Sequence, residues 1–156
     1  MEPLLETMTP RKKPSFRELT REECDAILAR NSTGRIAYSY HDRVDIEPIH
    51  YVYSDGWIYG RTEVGTKLRT LAHNHWIAFE ADETEGLFNW RSVVVKGALY
   101  VLEPQGSHSA AFAEAVVVLR TLVPDALTAS DPTPERNVVF RIHADQVTGR
   151  MASTVR

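Results

Sequence analysis

The sequence predicts a mainly β protein with flanking helices, of the α+β class, in which short strands form a small barrel or a strongly curled sheet. Three observations carry this prediction. From Ile49 to Tyr53, successive side chains fall on opposite sides of an extended strand, as its two-residue period requires. The pair Asp55-Gly56 indicates a tight hairpin. The run Val93-Val94-Val95 is β-branched, which is typical of a strand.

Length and composition indicate one domain. The chain has 156 residues, of which 43% are hydrophobic and 25% are charged, as in an ordinary globular protein with a single core. The formal net charge of -3 argues against a nucleic-acid partner, because that binding depends on a surplus of lysine and arginine. We expect a flexible arm over 1–15, a single domain over 16–150 and a tail over 151–156. The basic run Arg11-Lys12-Lys13 belongs to the solvated arm.

The cysteine content fits a reducing compartment. Cys24 is the only cysteine, so an internal disulfide is excluded. It lies on the apolar side of a predicted helix with Ile27 and Leu28, and we expect it to act as a small buried hydrophobic residue. No apolar run is long enough to span a bilayer, and no signal core follows the N-terminal charges. A cytoplasmic protein without a membrane partner is therefore expected.

The first predicted elements are a helix and two consecutive strands. Thr20 and Glu23 form a capping box, with Leu19 as the hydrophobic staple, and the helix should end between Asn31 and Gly34. Strands are then expected at 35–40 and 44–53, joined by a turn at 41–43.

The hairpin leads into a second helix. Its second strand runs from Trp57 to Thr62, and the chain then turns at 63–65. Leu68, Leu71 and Ala72 share one face of the helical pattern that follows. Further strands are expected at 75–81 and, after an acidic connection, at 89–102, with a bend at Gly97.

The best helix by composition spans Ser109–Val123. Because it is apolar around much of its girth, it either plugs the barrel or packs in a subunit interface. Pro124 ends it, and a proline-bearing loop over 125–137 leads to a last strand at 138–143. This gives six predicted strands.

An anion site is predicted where the second hairpin strand meets the following helix. A helix that begins at Gly65 or Thr66 directs unpaired backbone N–H groups and the positive end of its dipole toward the strand end. Arg61, Lys67 and the hydroxyls of Thr62 and Thr66 converge there, and together they would hold a phosphate dianion. The alternative is that Arg61 and Lys67 are ordinary solvated charges beside a glycine turn.

Two details favour the anion. A lysine in the first turn of a helix opposes the dipole unless an anion is bound there. Gly60 weakens the interior of its strand, and such a glycine often marks close approach by a ligand or by another backbone.

Four ordered motifs run along the chain. They are the strand Pro48 to Tyr53, then Ile58-Tyr59-Gly60-Arg61-Thr62, then Gly65-Thr66-Lys67-Leu68, then Trp90-Arg91-Ser92-Val93-Val94-Val95-Lys96-Gly97. With this order and spacing, the chain from about Phe16 to Leu102 resembles the FMN-binding split-barrel proteins related to pyridoxamine 5'-phosphate oxidase. That broad group also contains the nitroimidazole-resistance flavoproteins.

The resemblance implies a six-stranded antiparallel split β-barrel of Greek-key type. It implies a homodimer with FMN at the subunit interface and the phosphate in the turn from Arg61 to Lys67. The cofactor-binding residues that follow from the motifs and the resemblance are Ile49, His50, Tyr51, Gly60, Arg61, Thr62, Thr66, Lys67, Trp90 and Ser92. The strand that carries Ile49 to Tyr51 would run along the flavin ring, and Ser92 stands where the oxidase branch has a flavin-contacting glutamine.

The implied chemistry is electron transfer through FMN, from a reduced nicotinamide to a small-molecule acceptor. The chain has no G-x-G-x-x-G motif, so the nicotinamide would bind transiently over the flavin face. His50 is the candidate catalytic residue, because histidine can donate a proton near neutral pH. The alternative is that His50 is a hydrogen-bonded strand residue beside the cofactor.

Departures from the family pattern narrow the function. The nitroimidazole-resistance proteins place a histidine near the flavin where Gly60 stands here. The oxidases carry a C-terminal arginine and histidine motif, where this chain offers only Arg141-Ile-His143 and Thr148-Gly-Arg150. The resemblance therefore does not imply the nitroimidazole-resistance activity, and the oxidase substrate is not carried over, so the substrate is left open. The alternatives are a flavin carrier or redox sensor, and a split barrel that holds haem or a deazaflavin. The histidine spacing predicts no metal site.

Overall fold

The computed structural model describes residues 13–65, 70–71 and 74–154. These residues form nine strands, all paired antiparallel, and two helices. The strands are β1 (Ser15–Glu18), β2 (Thr33–Tyr40), β3 (Arg43–His50), β4 (Val52–Ser54), β5 (Trp57–Thr62), β6 (Trp76–Gly86), β7 (Asn89–Leu102), β8 (Val138–His143) and β9 (Gln146–Ser153). The helices are α1 (Arg21–Arg30) and α2 (Ser109–Leu119), the latter preceded by a 3₁₀ turn at Gly106–His108. The predicted class, mainly β with flanking helices, is confirmed.

The sheet divides along β7. One edge of β7 pairs with β6, and the order continues through β2 to β3. The other edge pairs first with β9, over Trp90–Lys96, and then with β8, over Leu99–Leu102, which leads to β5 and β4. Gly97, where the sequence predicts a bend, lies at this change of partner. A Cβ there would sit 1.9 Å from the carbonyl oxygen of His143, so the crossing backbone leaves room only for glycine.

The main core lies between the two parts of the sheet that meet at β7, and α1 packs against it. Cys24, Ile27 and Leu28 of α1 are at most 1% exposed, which confirms the expectation for Cys24. The capping box at the start of α1 is also confirmed. The Glu23 N–H donates to Thr20 Oγ1 at 3.2 Å, and the Thr20 N–H donates to Glu23 Oε1 at 3.0 Å.

Helix α2 covers a second, smaller core on β5, β7 and β8. Ala115 and Leu119 pack there with Tyr59, Leu102 and Val139. Its outer face is exposed, so α2 does not plug the barrel. It ends at Leu119, four residues before the predicted Val123, because 120–122 tighten into turns ahead of Pro124, whose ring disfavours helical backbone in the preceding residue.

The predicted count of six strands was too low. The bounds of β5, β7 and β8 match the prediction, and β6 extends through the stretch expected to be an acidic connection. The predicted strand over 44–53 divides at Tyr51, whose N–H donates to the Ser32 carbonyl at 3.0 Å instead of continuing the β3 ladder. Strands β1 and β9 were not predicted, because β1 has four exposed residues and β9 is largely polar.

The pairing of β1 with β9 extends the folded unit at both ends. Ser15, in the predicted arm, is opposite Ser153, in the predicted tail. The sheet therefore includes 151–153, beyond the domain end predicted at 150.

The predicted helix after Gly65 falls mostly outside the described residues. Thr66, Lys67 and Leu68 are outside them, as is Ala72. Thr70 and Leu71 are helical, and Leu71 is 2% exposed. None of the helices in the part of the chain that the structure describes has the length and hydrophobicity needed to cross a bilayer.

Candidate functional site

A cavity of about 700 Å³ lies where the end of β3 approaches the end of β5. Residues 47–50 of β3 line one part of it, and 61–65, the end of β5 and the following turn, line another. The apolar side chains of Leu119, Leu122 and Val123 contribute from the end of α2. The loop from α2 to β8 completes the lining with four of its residues between 132 and 136.

Four of the ten predicted site residues line this cavity, namely Ile49, His50, Arg61 and Thr62. Strand alternation separates the first two, since Ile49 is 8% exposed whereas His50 is exposed. The Nδ1 atom of His50 lies 3.4 Å from Thr33 Oγ1. Thr62 is 7% exposed and lines the cavity from the end of β5.

The Arg61 side chain is bonded to the loop between α2 and β8 and is shielded from solvent. Its side chain is 8% exposed and forms a two-pronged ion pair with Asp131, which is 2% exposed. Nη2 donates to Asp131 Oδ1 at 2.9 Å and to Thr133 Oγ1 at 2.8 Å, while Nη1 donates to Asp131 Oδ2 and, at 3.3 Å, to the Arg136 carbonyl. The four N–H groups of its two terminal nitrogens are therefore all directed at acceptors of the protein.

The Asp131 carboxylate is fully hydrogen-bonded. Besides Arg61, it accepts the backbone N–H of Leu127 at 2.7 Å and that of Thr133 at 2.9 Å. The Arg61 guanidinium, aided by these two N–H groups, holds the pKa of Asp131 well below its usual range. The carboxylate is thus charged at all but strongly acidic pH, and it neutralises the cation that the sequence predicted for a phosphate.

Two of the other predicted residues are explained by the core. Tyr51 is completely buried; its hydroxyl donates to the Leu28 carbonyl at 2.8 Å, and burial raises the pKa of this phenol. At Gly60, a Cβ would lie 2.5 Å from Cζ of Phe140, so the missing side chain makes room for an aromatic ring of the core. Neither residue is part of the cavity lining.

Trp90 and Ser92 lie on β7, outside the cavity lining. The ring of Trp90 is 6.4 Å from that of Phe16, and Ser92 Oγ donates to Glu80 Oε2 at 2.9 Å. Within one chain they do not join the four cavity residues. The two remaining predicted residues, Thr66 and Lys67, lie outside the described residues.

Sequence reasoning missed the loop that completes the cavity. Asp131 and its neighbours were assigned only to a proline-bearing connection, although Asp131-Pro132 is a turn signal. Nothing local indicated that this turn meets Arg61, which is 70 residues away in sequence.

The charges of the lining are mixed. Carboxylates come from Glu47, Glu63 and Glu135, and the cations are Arg61 and Arg136. The Tyr38 hydroxyl donates to Glu47 Oε2 at 3.2 Å, and burial together with the Glu47 charge raises the pKa of Tyr38 to about 12. Among the residues that the structure describes, no group of three or more His, Cys, Asp or Glu side chains could hold a metal ion.

Comparison with known proteins connects this architecture to one family. The family model described as pyridoxamine 5'-phosphate oxidase matches residues 20–151. An uncharacterized protein of Rhizobium meliloti (strain 1021) is 31% identical over 93 residues, which cover 59% of this chain and 62% of that protein. The match thus spans less than two thirds of this curated relative's length.

Two solved structures of similar length share the fold. A FAD-binding protein from Mesorhizobium loti is 29% identical with a TM-score of 0.71, and the match covers 88% of this chain and 98% of that one. The FAD binding protein from Mycobacterium smegmatis is 25% identical with a TM-score of 0.64, covering 86% and 99%.

Proposed function

The chain belongs to the pyridoxamine 5'-phosphate oxidase family, and we propose that it is a flavin-binding protein whose flavin occupies the cavity between β3, β5 and the α2–β8 loop. The observation that carries this proposal is the cavity itself. Its volume of about 700 Å³ lies within the range of roughly 300–1,000 Å³ that is typical of ligand pockets. Two of the three strand segments for which the sequence predicted cofactor contacts also line it, represented by Ile49 and Thr62.

The lining is suited to a flavin in two respects. Leu119, Leu122 and Val123 offer an apolar surface for a flat ring system. Thr62 and the turn to Gly65 offer polar groups at another part of the cavity, next to the predicted helix start at Thr66 and Lys67. We propose that the phosphate lies at this turn, with Lys67 as its cation, because the terminal nitrogens of Arg61 are already engaged.

FMN is the flavin that the motifs favour, and FAD is the second candidate. The FAD-binding proteins of Mesorhizobium loti and Mycobacterium smegmatis, matched over nearly their whole length, support a dinucleotide flavin. Titration of flavin-free protein with FMN, FAD and riboflavin, followed by flavin fluorescence, decides between them. Failure to bind any of the three would overturn the proposal.

We further propose an oxidoreductase activity in which reduced nicotinamide is the donor and a small molecule is the acceptor. The flavin supplies the electron-transfer chemistry when bound, while the protein orients it and limits access of water. His50 is the proposed proton donor, since it is exposed and lines the cavity. The contact of His50 Nδ1 with Thr33 Oγ1 at 3.4 Å supports the second candidate, a flavin carrier without turnover in which His50 is a hydrogen-bonded strand residue.

Anaerobic addition of reduced nicotinamide separates the enzyme from the carrier. An enzyme bleaches the flavin absorbance, and His50→Ala should slow reoxidation by an acceptor without releasing the flavin. A carrier remains yellow. A Soret band in the purified protein would instead indicate haem.

We also propose a homodimer with the flavin near the subunit interface. Trp90 and Ser92 were expected to contact the cofactor, yet they lie on β7 away from the cavity of their own chain, which supports their action on a partner's cavity. Val44, Ile46 and Trp76 are 75%, 68% and 47% exposed, an apolar surface that a second copy would cover. Light scattering coupled to size-exclusion chromatography tests this, and a monomer with bound flavin would contradict it.

A further inference from the structure

The loop between α2 and β8, which lines one part of the cavity, is attached to β5 by the buried ion pair between Asp131 and Arg61. We propose that Asp131 is a positioning residue which, through Arg61, holds residues 132–136, the loop wall of the cavity, in place. The flavin is then bound by the wall and by the turn after β5, and the guanidinium of Arg61 makes no bond to the phosphate. This inference rests on the proposed flavin site and assigns Arg61 a role different from the one that the sequence predicted.

Arg61 fastens the loop at three points. Its guanidinium bonds the carboxylate of Asp131, the hydroxyl of Thr133 and the carbonyl of Arg136, so one side chain spans the whole wall segment. Arg61 is itself fixed, because β5 pairs with β8 at this position, with Arg61 opposite Val139. Thr133 and Arg136 both line the cavity. Their placement therefore depends on a residue of the sheet.

Asp131 also bonds to backbone groups of the loop itself. It accepts the backbone N–H groups of Leu127 and Thr133, and its own N–H donates to the Thr128 carbonyl at 3.1 Å. Leu127 has φ +62°, a left-handed conformation that a leucine rarely adopts. The bond from the Leu127 N–H to Asp131 holds this unfavourable conformation in place. The carboxylate is thus the centre around which the loop is folded.

A phosphate cannot simply replace the carboxylate. Releasing Arg61 to an external anion would leave Asp131, 2% exposed, as a buried charge without its cation. The pair is fully satisfied, with four donors on the carboxylate and an acceptor for every terminal N–H of the guanidinium. Arg61 is therefore better suited to a fixed supporting role than to direct recognition of the ligand.

Flavins with and without a phosphate distinguish the two roles. If Arg61 positions the wall, Arg61→Lys and Asp131→Asn should each weaken FMN and riboflavin by the same factor, about tenfold, because both ligands lose the same preorganised surface. If Arg61 binds the phosphate, Asp131→Asn leaves FMN affinity intact or improves it, Arg61→Lys keeps most of it, and riboflavin is unaffected. That second pattern would overturn the proposal.

Trypsin cleavage after Arg136 tests the wall without any flavin. Arg136 and Asn137 are exposed, and the bond from Arg61 to the Arg136 carbonyl should restrain this site. Both variants should be cut there faster than wild type at a temperature where circular dichroism shows them folded. Unchanged cleavage would refute the supporting role. A wild-type protein that binds no flavin would refute the proposed function alone, because the cleavage rates still decide whether Asp131 holds the wall.

Two further variants guard against loss of folding. Thr133→Val removes one acceptor of Arg61 and keeps the ion pair, so it should shift flavin affinity and cleavage in the same direction by a smaller factor. Glu83→Gln is the matched control, because it weakens the two-pronged pair with Arg30, which does not line the cavity. It should leave FMN affinity and cleavage after Arg136 unchanged.

Discussion

Two arginines fasten distant segments of this chain through the same kind of two-pronged bond, but in different surroundings. Arg30 joins α1 to β6 by donating to Glu83 at 2.7 and 2.5 Å, and its side chain is 51% exposed. Arg61 joins β5 to the α2–β8 loop, and its side chain is 8% exposed. Bond geometry alone therefore does not determine the effect of an ion pair on the fold. An exposed pair adds little to stability, whereas a buried pair commits the surrounding chain to one arrangement.

The largest expected difference is in thermal stability when each carboxylate is neutralised. Asp131→Asn leaves a buried guanidinium without its counter-charge, so the Tm should fall by about 10 °C. Glu83→Gln removes a charge that is 23% exposed and paired with a half-exposed arginine, and it should lower the Tm by about 2 °C. Differential scanning calorimetry of the two variants checks this. Equal losses of Tm would show that burial does not distinguish the two ion pairs.

Lysine replacement separates charge from geometry. Arg61→Lys keeps the charge but cannot reach the carboxylate, the Thr133 hydroxyl and the Arg136 carbonyl together, and we expect a fall in Tm of about 5 °C. Arg30→Lys should cost about 1 °C, because solvent already shares in that pair. If both lysine variants resemble wild type, charge alone fastens the loop, and the three-point attachment has no energetic weight.

As pH falls, the stability contributed by Glu83 and by Asp131 should be lost over different pH ranges. Arg30, helped by Asn31, lowers the pKa of Glu83 to about 2, and Arg61 lowers that of Asp131 further. Since both pKa values are lower in the folded state, the stability they confer is full above the ordinary carboxyl pKa, about 4, and is lost as pH falls toward the folded-state values.

Urea titrations between pH 5 and pH 2 measure this loss. The difference in proton uptake should be near zero at pH 5 and should grow as pH falls, so that near pH 3 unfolding of each variant takes up about one proton fewer than unfolding of wild type. The deficit should continue toward lower pH for Asp131→Asn than for Glu83→Gln. A variant whose acid curve parallels that of wild type would show that its carboxylate is not linked to folding.

The smallest expected effect is that of salt. At about 1 M sodium chloride the Debye length is about 3 Å, so exposed charges are largely screened. The small difference in Tm between Glu83→Gln and wild type should vanish, whereas the difference for Asp131→Asn should remain. A buried pair that is as salt-sensitive as the exposed one would mean that water enters the loop in solution.

Much of the fold is visible in the sequence because the signals are local. β5, β7 and β8 have the predicted bounds, and the turn at His41 and Asp42 has the positive φ angles of a tight hairpin. The missed strands gave no such signal. β1 has four exposed residues, and β9 is polar and contains Gly149, so both are strands only because they pair with each other and with β7.

The candidate site was predictable only where it is built from consecutive residues. Ile49 and His50, on opposite sides of one strand, follow directly from strand alternation. The ion pair of Arg61 could not be predicted in this way, because its partner Asp131 lies in a loop whose position depends on the whole sheet. Gly60 was assigned to a ligand, whereas the structure fills the space beside it with Phe140, a contact that arises from the pairing of β5 with β8.

The pairing of β1 with β9 has a consequence for how the protein is made. Phe16 lies opposite Ala152, so β1 pairs with a strand that follows it only after all the other described strands. During synthesis on a ribosome, β1 emerges before β9 and cannot pair with it until β9 has been translated. Closing so large a loop is entropically costly. Pairing of β1 with β9 is therefore a late step in folding. It completes a sheet whose other strands can already have assembled.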